Sequence, residues 1–392
     1  MALPVEERFI NNLTGNGLFA KKDFTVGEVI FEERPLVSCQ FAWNEDCGYK
    51  SCEYCLRPLE SAQENARRLT GLPDLVLPFP EYDAIDKSLQ ETCDGCGITY
   101  CSPSCKDEAF RRYHQTMCHK KGQSHPLAVI RASWKEMHYP PESMNVMILA
   151  KLAAMFRQAS EEERSALSKM LARFQSGFAS ANESFIHRMM GQQFQAQLET
   201  LRPLFAAAFP EMIFQDWWTR QNFLSLFTVF ARNAQGVGVS SFGAWQYALR
   251  NSSTFTEDAK TFLDVTYVAI NEKTGEEFID NEGSGLYIMQ RACNHSCDPN
   301  TEVSFLHNDS TLSLIARHPI KVGEEIFISY LDECTLKHSR HTRRKILREN
   351  YLFECQCRLC SQQADQADIT SDEDGGEDDD WKSDDPMEEE EA

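Results

Sequence analysis

No stretch of this 392-residue chain approaches the ~20 consecutive apolar residues that a membrane-spanning helix needs, so no membrane role is expected. The N-terminus, MALPVEERFI, has acidic residues where a secretory signal requires an apolar block, which argues against export. Basic residues are also short: 39 Lys and Arg face 60 Asp and Glu, for a formal net charge of −21. Thirteen acidic residues against one Lys in residues 371–392 account for −12 of this and leave −9 for the rest. That balance lacks the electrostatic footprint of direct nucleic-acid binding and favours a basic partner, such as a histone tail or a ribosomal protein. No Ser-His-Asp or Cys-His arrangement for covalent catalysis stands out.

Cysteine, by contrast, is abundant. Fifteen in a chain expected in the cytoplasm, the nucleus or both point to metal binding rather than disulfides. Cys52-x2-Cys55, Cys93-x2-Cys96, Cys101-x3-Cys105 and His114-x3-Cys118 supply four ligand pairs, enough for two closed tetrahedral zinc sites. Adjacent and interleaved pairings both satisfy the spacing. Cys55 and Cys93 are separated by 37 residues that include the breaker cluster Leu75-Val76-Leu77-Pro78-Phe79-Pro80, and Cys39 and Cys47 lie nearby as spare thiols. Farther on, Cys355-Gln356-Cys357-Arg358-Leu359-Cys360 places three thiols in six residues and needs a fourth ligand from a distance. Cys297 is the natural candidate. It belongs to Arg291-Ala292-Cys293-Asn294-His295-Ser296-Cys297-Asp298-Pro299-Asn300, where Asn294 and His295 can read a polar ligand and Asp-Pro-Asn makes a turn.

Short strands are expected over residues 1–38, broken by Gly15-Asn16-Gly17, where residues without Cβ let a backbone approach a bulky ligand. From about 124 to 235 the apolar spacing turns helical. Pro140-Pro141 precedes a stripe of Met144, Met147, Ile148, Leu152 and Met155, with Lys151 interrupting it and its stem free to lie along the apolar face. Ser160-x-x-Glu163 reads as a capping box, and Trp217-Trp218 with Phe223 to Phe230 reads as core. After Gly236-Val237-Gly238 and another helical stretch, strands return from Phe278-Ile279. They continue in a hairpin about Asn308-Asp309-Ser310 and in Glu325 to Tyr330. Residues 338–352 read as a basic helix with a solvated face, and the acidic end beyond Cys360 as disordered.

The ordered set of Gly15-Asn16-Gly17, Asn294-His295-Ser296-Cys297, Gly323-Glu324-Glu325 leading to Tyr330, and the final Cys-x-Cys-x2-Cys resembles the SET domain of lysine methyltransferases. The eight-ligand stretch, with Tyr100-Cys101-Ser102, is similar to a MYND finger. Together they resemble the SMYD-type proteins, in a short divergent form with an acidic tail and no room for a C-terminal helical domain.

That resemblance implies an α+β fold: a β-rich SET core of small curved sheets, an inserted zinc finger, a helical insertion and a zinc-clamped post-SET segment. The divisions expected are 1–50 and 236–350 for the SET core, 51–120 for the finger with its insert and 121–235 for the helical insertion. Residues 351–362 then make the post-SET segment and 363–392 the tail. The activity implied is S-adenosylmethionine-dependent methylation of a protein lysine, with the finger open to a peptide partner. Gly15, Asn16, Gly17, Asn294, His295, Tyr330 and Phe353 would bind the cofactor. Tyr330 would be catalytic, and Tyr287 would wall the lysine channel. Three zinc ions are implied, with the finger sites interleaved: Cys52, Cys55, Cys101 and Cys105 on one, Cys93, Cys96, His114 and Cys118 on the second. Cys297, Cys355, Cys357 and Cys360 would hold the third.

Overall fold

The computed structural model describes residues 3–12, 14–120, 125–137, 145–174, 183–275 and 279–365. Pro140-Pro141, Met144, Phe278 and the acidic tail beyond 365 lie outside the described residues. The strands are β1 (Val5–Asn11), β2 (Gly15–Ala20), β3 (Val29–Glu33), β4 (Val37–Gln40), β5 (Glu91–Thr92), β6 (Thr99–Tyr100), β7 (Ala234–Val239), β8 (Asn281–Leu286), β9 (Asn294–His295), β10 (Thr301–Ser304), β11 (Leu312–Ala316) and β12 (Glu325–Ile328). They form three small sheets, ordered β1-β2-β12-β9, β10-β11-β3 and β4-β8-β7, and the β5-β6 ribbon of the finger.

Sequence-distant motifs meet in the first sheet. β1 and β2 form a hairpin whose register runs from Val5↔Ala20 to Asn11↔Gly15, and Asn11 Oδ1 accepts from Thr14 N at 2.8 Å in the turn. β12 then pairs antiparallel with β2 and parallel with β9. Residues 15–20, 294–295 and 325–328 thereby lie side by side. The expected hairpin is β10-β11, with Thr301 opposite Ala316. β7 is the strand that the sequence concealed. Its Gly236 and Gly238 read as punctuation because glycine weakens a strand signal, yet all six residues pair with β8.

Helices Pro126–Met137, Met147–Gln158, Glu183–Ala208 and Arg220–Asn233 enclose the largest core, with Trp134, Phe205, Phe223 and Phe227 fully buried. The capping box at Ser160 and Glu163 starts the helix Glu161–Leu171. Lys151 does more than lay its stem on the apolar stripe. Its ammonium, on a side chain 3% exposed, ion-pairs with Glu53 Oε1 at 2.8 Å. It also donates to the carbonyls of Ser38 and Glu53 at 2.9 Å each, fastening the helices to β4 and the finger.

The insert between Cys55 and Cys93 is likewise built in. Ser61 and Glu64 cap the helix Ala62–Thr70, which buries Ala66 and Leu69 in a core shared with Trp245, Leu249 and Leu263 of the helices Ser241–Arg250 and Glu257–Thr274. The finger residues 51–120 and the segment 236–350 therefore share a hydrophobic core. No helix among the described residues is long and apolar enough to cross a membrane.

Candidate cofactor cleft and metal centres

β9 spans two residues, and its neighbours determine how their side chains sit. Asn300, in the turn that follows, donates from Nδ2 to Glu325 O at 2.9 Å and accepts Phe327 N–H at 2.8 Å, stitching the turn to β12. His295 is buried, and its Nδ1 accepts from Tyr330 N at 3.0 Å, which fixes the ring. Burial pushes its imidazole down and keeps it neutral. Around it gather Tyr330, with ring centroids 5.4 Å apart, and Phe353 at 6.0 Å. Tyr351 stands 5.0 Å from Tyr330 and donates its hydroxyl to Tyr330 O at 3.1 Å. The Tyr330 hydroxyl donates to Cys293 O at 2.9 Å, and burial pushes the phenol up so that it stays protonated.

The two glycines of the β1-β2 hairpin have different reasons to be glycine. Gly15 has a φ of +78°, a left-handed turn conformation. A Cβ on Gly17 would stand 2.6 Å from Glu325 Oε1, 2.7 Å from Ile10 Cδ1 and 3.2 Å from Asn294 Nδ2. The missing methyl lets Asn294 and Glu325 pack under the loop. Asn294 Nδ2 donates to Asn16 O at 3.2 Å and to Glu325 Oε1 at 2.7 Å. The Asn16 side chain turns the other way, donating to Glu7 at 2.5 Å, and Glu7 also accepts from Arg173 and Arg291.

Three thiol-rich clusters complete the picture. Cys52, Cys55, Cys101 and Cys105 form one; Cys93, Cys96, His114 and Cys118 a second; Cys297, Cys355, Cys357 and Cys360 a third. Within each, the ligand atoms lie within 4.8 Å of one another. The finger pairs interleave because Cys93 and Cys96 lie in the turn between β5 and β6 while Cys101 follows β6 at the other end of the ribbon, so consecutive pairs are held apart. The Tyr100 hydroxyl lies 2.8 Å from His114 Nδ1, leaving Nε2, 3.5 Å from Cys96 Sγ, as the ligating nitrogen. All three donor sets fit zinc: four soft or imidazole ligands, closed, with no open position.

The basic helix, Arg340–Tyr351, presents the expected solvated face through Lys345, Arg348 and Glu349, but its other arginines turn inward. Arg343 is buried and its Nη2 lies 3.9 Å from Cys360 Sγ, while Arg340 Nε donates to Cys360 O at 2.9 Å. Arg344 and Arg348 both pair with Glu354. With a zinc ion bound, four thiolates would leave a net negative charge there, which the buried Arg343 guanidinium would compensate.

Residues 15–331 match the model of the SET domain family. Protein-lysine N-trimethyltransferase SMYD5 of Danio rerio is 45% identical over 94% of this chain and 90% of its own length. The Homo sapiens protein of the same name is 43% identical over 94% and 89%. The chain belongs to the SET-domain family, among its SMYD-type members. A shorter similarity, 46% over 23% of this chain and 20% of its counterpart, links it to the Homo sapiens histone-lysine N-methyltransferase SMYD3.

The structure brings His295, Tyr330 and Phe353 together and sets Asn294, the neighbour of His295, against Asn16. An acceptor edge, a neutral imidazole and several aromatic faces suit a cationic adenosine-bearing cofactor. Tyr287 is fully buried in the β core against which Tyr330 packs, and its hydroxyl donates to Ser310 O at 2.7 Å. Sequence reasoning did not single out Glu7, Arg291, Glu325 or Tyr351. Glu325 lies inside the Gly323-Glu324-Glu325 motif, and its place on a strand next to β2 is the signal that could have found it.

Proposed function

We propose that this SET-domain protein transfers methyl groups from S-adenosylmethionine to the ε-amino group of a lysine in a basic protein, of the histone or ribosomal kind. The observation that carries the proposal is the gathering of His295, Tyr330 and Phe353 from three separate parts of the chain, with Asn294 next to His295 in β9 and held against the β1-β2 turn. The bound cofactor supplies an electrophilic methyl on a sulfonium. The protein's part is placement, exclusion of water and control of protons. A free lysine titrates near ~10.4, so it must lose its proton before attack, and a buried aromatic surround favours the neutral amine. Tyr330 keeps its proton and sets its oxygen 2.9 Å from the Cys293 carbonyl, a fixed pair of oxygens at the cleft. The relatives' activity as trimethyltransferases supports repeated transfer to one lysine.

β7 is the outer strand of its sheet, with Gly236 and Gly238 exposed, and an extended substrate segment can add there through main-chain hydrogen bonds. The acidic surface steers a basic segment toward it. One zinc in each thiol cluster holds the architecture, and the finger surface remains for a peptide partner. The test is transfer of labelled methyl from S-adenosylmethionine into a cell extract, comparing the wild type with Tyr330→Phe at matched zinc content. Losing the one hydroxyl should lower labelling by roughly 10²-fold. Equal labelling would take Tyr330 out of the reaction. An absence of label from both, with no heat on cofactor titration, would sink the enzyme reading.

A further inference from the structure

We propose that Glu325 is a positioning residue for the cofactor: its carboxylate holds the Asn294 amide in the orientation that turns the carbonyl oxygen, not an N–H, toward the ligand. This rests on the cofactor reading above. An asparagine amide is nearly symmetric in shape, so what it recognises depends on which end faces the ligand. Here both hydrogens of Asn294 Nδ2 are committed, one to Asn16 O at 3.2 Å and one to Glu325 Oε1 at 2.7 Å. The second bond is the shorter of the two. Oδ1 is left as an acceptor, and the group it suits is a donor, the α-ammonium of the cofactor's amino-acid end.

Glu325 can reach Asn294 only because Gly17 has no side chain. Its Oε1 stands 2.6 Å from where a Cβ would be. Glu325 begins β12, opposite Phe19 of β2, and its main-chain oxygen is tied by Asn300 Nδ2 at 2.9 Å, so the carboxylate is presented from a fixed backbone. The Gly-x-Gly turn, the Asn-His turn and the Gly-Glu-Glu motif therefore act through one hydrogen-bonded contact. Glu325 touches no reacting atom.

The test is calorimetric binding of S-adenosylhomocysteine and of its analogue lacking the α-amino group. Glutamine keeps an acceptor oxygen where leucine has none. Glu325→Gln should bind S-adenosylhomocysteine within about threefold of wild type, and Glu325→Leu at least about tenfold more weakly, the cost of leaving one partly buried donor without its acceptor. The deaminated analogue should bind the wild type and both variants alike, showing that the rest of the cleft is intact. Three results would overturn the proposal: Glu325→Leu binding like wild type, Glu325→Gln losing as much as leucine, or the analogue losing affinity in step. A wild type that binds neither ligand overturns the cofactor reading, and the positioning role with it.

Discussion

Cys357→Ser should cost the protein one bound zinc and most of its affinity for S-adenosylhomocysteine while the remaining fold stands. Structural zinc contributes on the order of 10–16 kcal/mol in small zinc-folded peptides, so a cluster short of one ligand does not keep its metal under dilution. Here the loss stays local. The third cluster joins Cys297, three residues beyond Asn294, to Cys355, two residues beyond Phe353. Its packing partners are Leu331, Leu347, Ile346 and Tyr351, a core separate from that of the helices. Releasing the clamp frees Phe353 and Tyr351 from His295 and Tyr330 and leaves the buried Arg343 without the charge it faces. Metal analysis, circular dichroism and calorimetry together read the outcome. A zinc-depleted variant that still binds the ligand at wild-type strength would separate the clamp from the cleft.

Chemistry that depends on residue type and short spacing was legible before any coordinates. Cys-x2-Cys and Cys-x3-Cys pairs announce ligands because tetrahedral coordination needs two donors from one tight turn. The pairing of those turns was not legible from spacing, because it is decided by the β5-β6 ribbon and the helix after it, which are tertiary facts. Lys151 shows a similar limit. Its position within an apolar stripe is visible in the sequence, but the carbonyls of Ser38 and Glu53 that accept from it come from about a hundred residues earlier. β7 was hidden because a glycine-rich strand owes its form to the partner it pairs with. The basic helix was legible on one face only. Lys345 and Arg348 are exposed as its charge suggests, whereas Arg340, Arg343 and Arg344 turn toward the thiol cluster and Glu354, which the sequence does not place.

Glu7→Leu should be the most destabilising single change in the β1-β2-β12-β9 sheet. Arg291, its side chain 2% exposed, donates from Nη2 to both Glu7 oxygens at 2.7 and 2.8 Å. Arg173, just past the helix Glu161–Leu171, reaches Glu7 Oε2 at 2.6 Å, and Asn16 Nδ2 reaches Oε1 at 2.5 Å. Removing the carboxylate strands a buried guanidinium, at a cost of about 3–5 kcal/mol. Adding Arg291→Met removes the stranded charge, so the double variant should recover much of the loss, which a mere packing defect at position 7 would not allow. The pH dependence has a definite sign. Burial alone would raise the Glu7 carboxyl, but the Arg173 and Arg291 guanidiniums outweigh it and hold it below the ordinary range. A carboxyl depressed in the folded state stabilises fully above its unfolded value of about 4.3 and loses that contribution as pH falls through the folded value. The stability gap between wild type and Glu7→Leu should therefore be widest near neutrality and close in acid. Denaturation midpoints of the three proteins across that range decide the matter. A gap that does not change with pH would mean that Glu7 acts through its shape and not its charge.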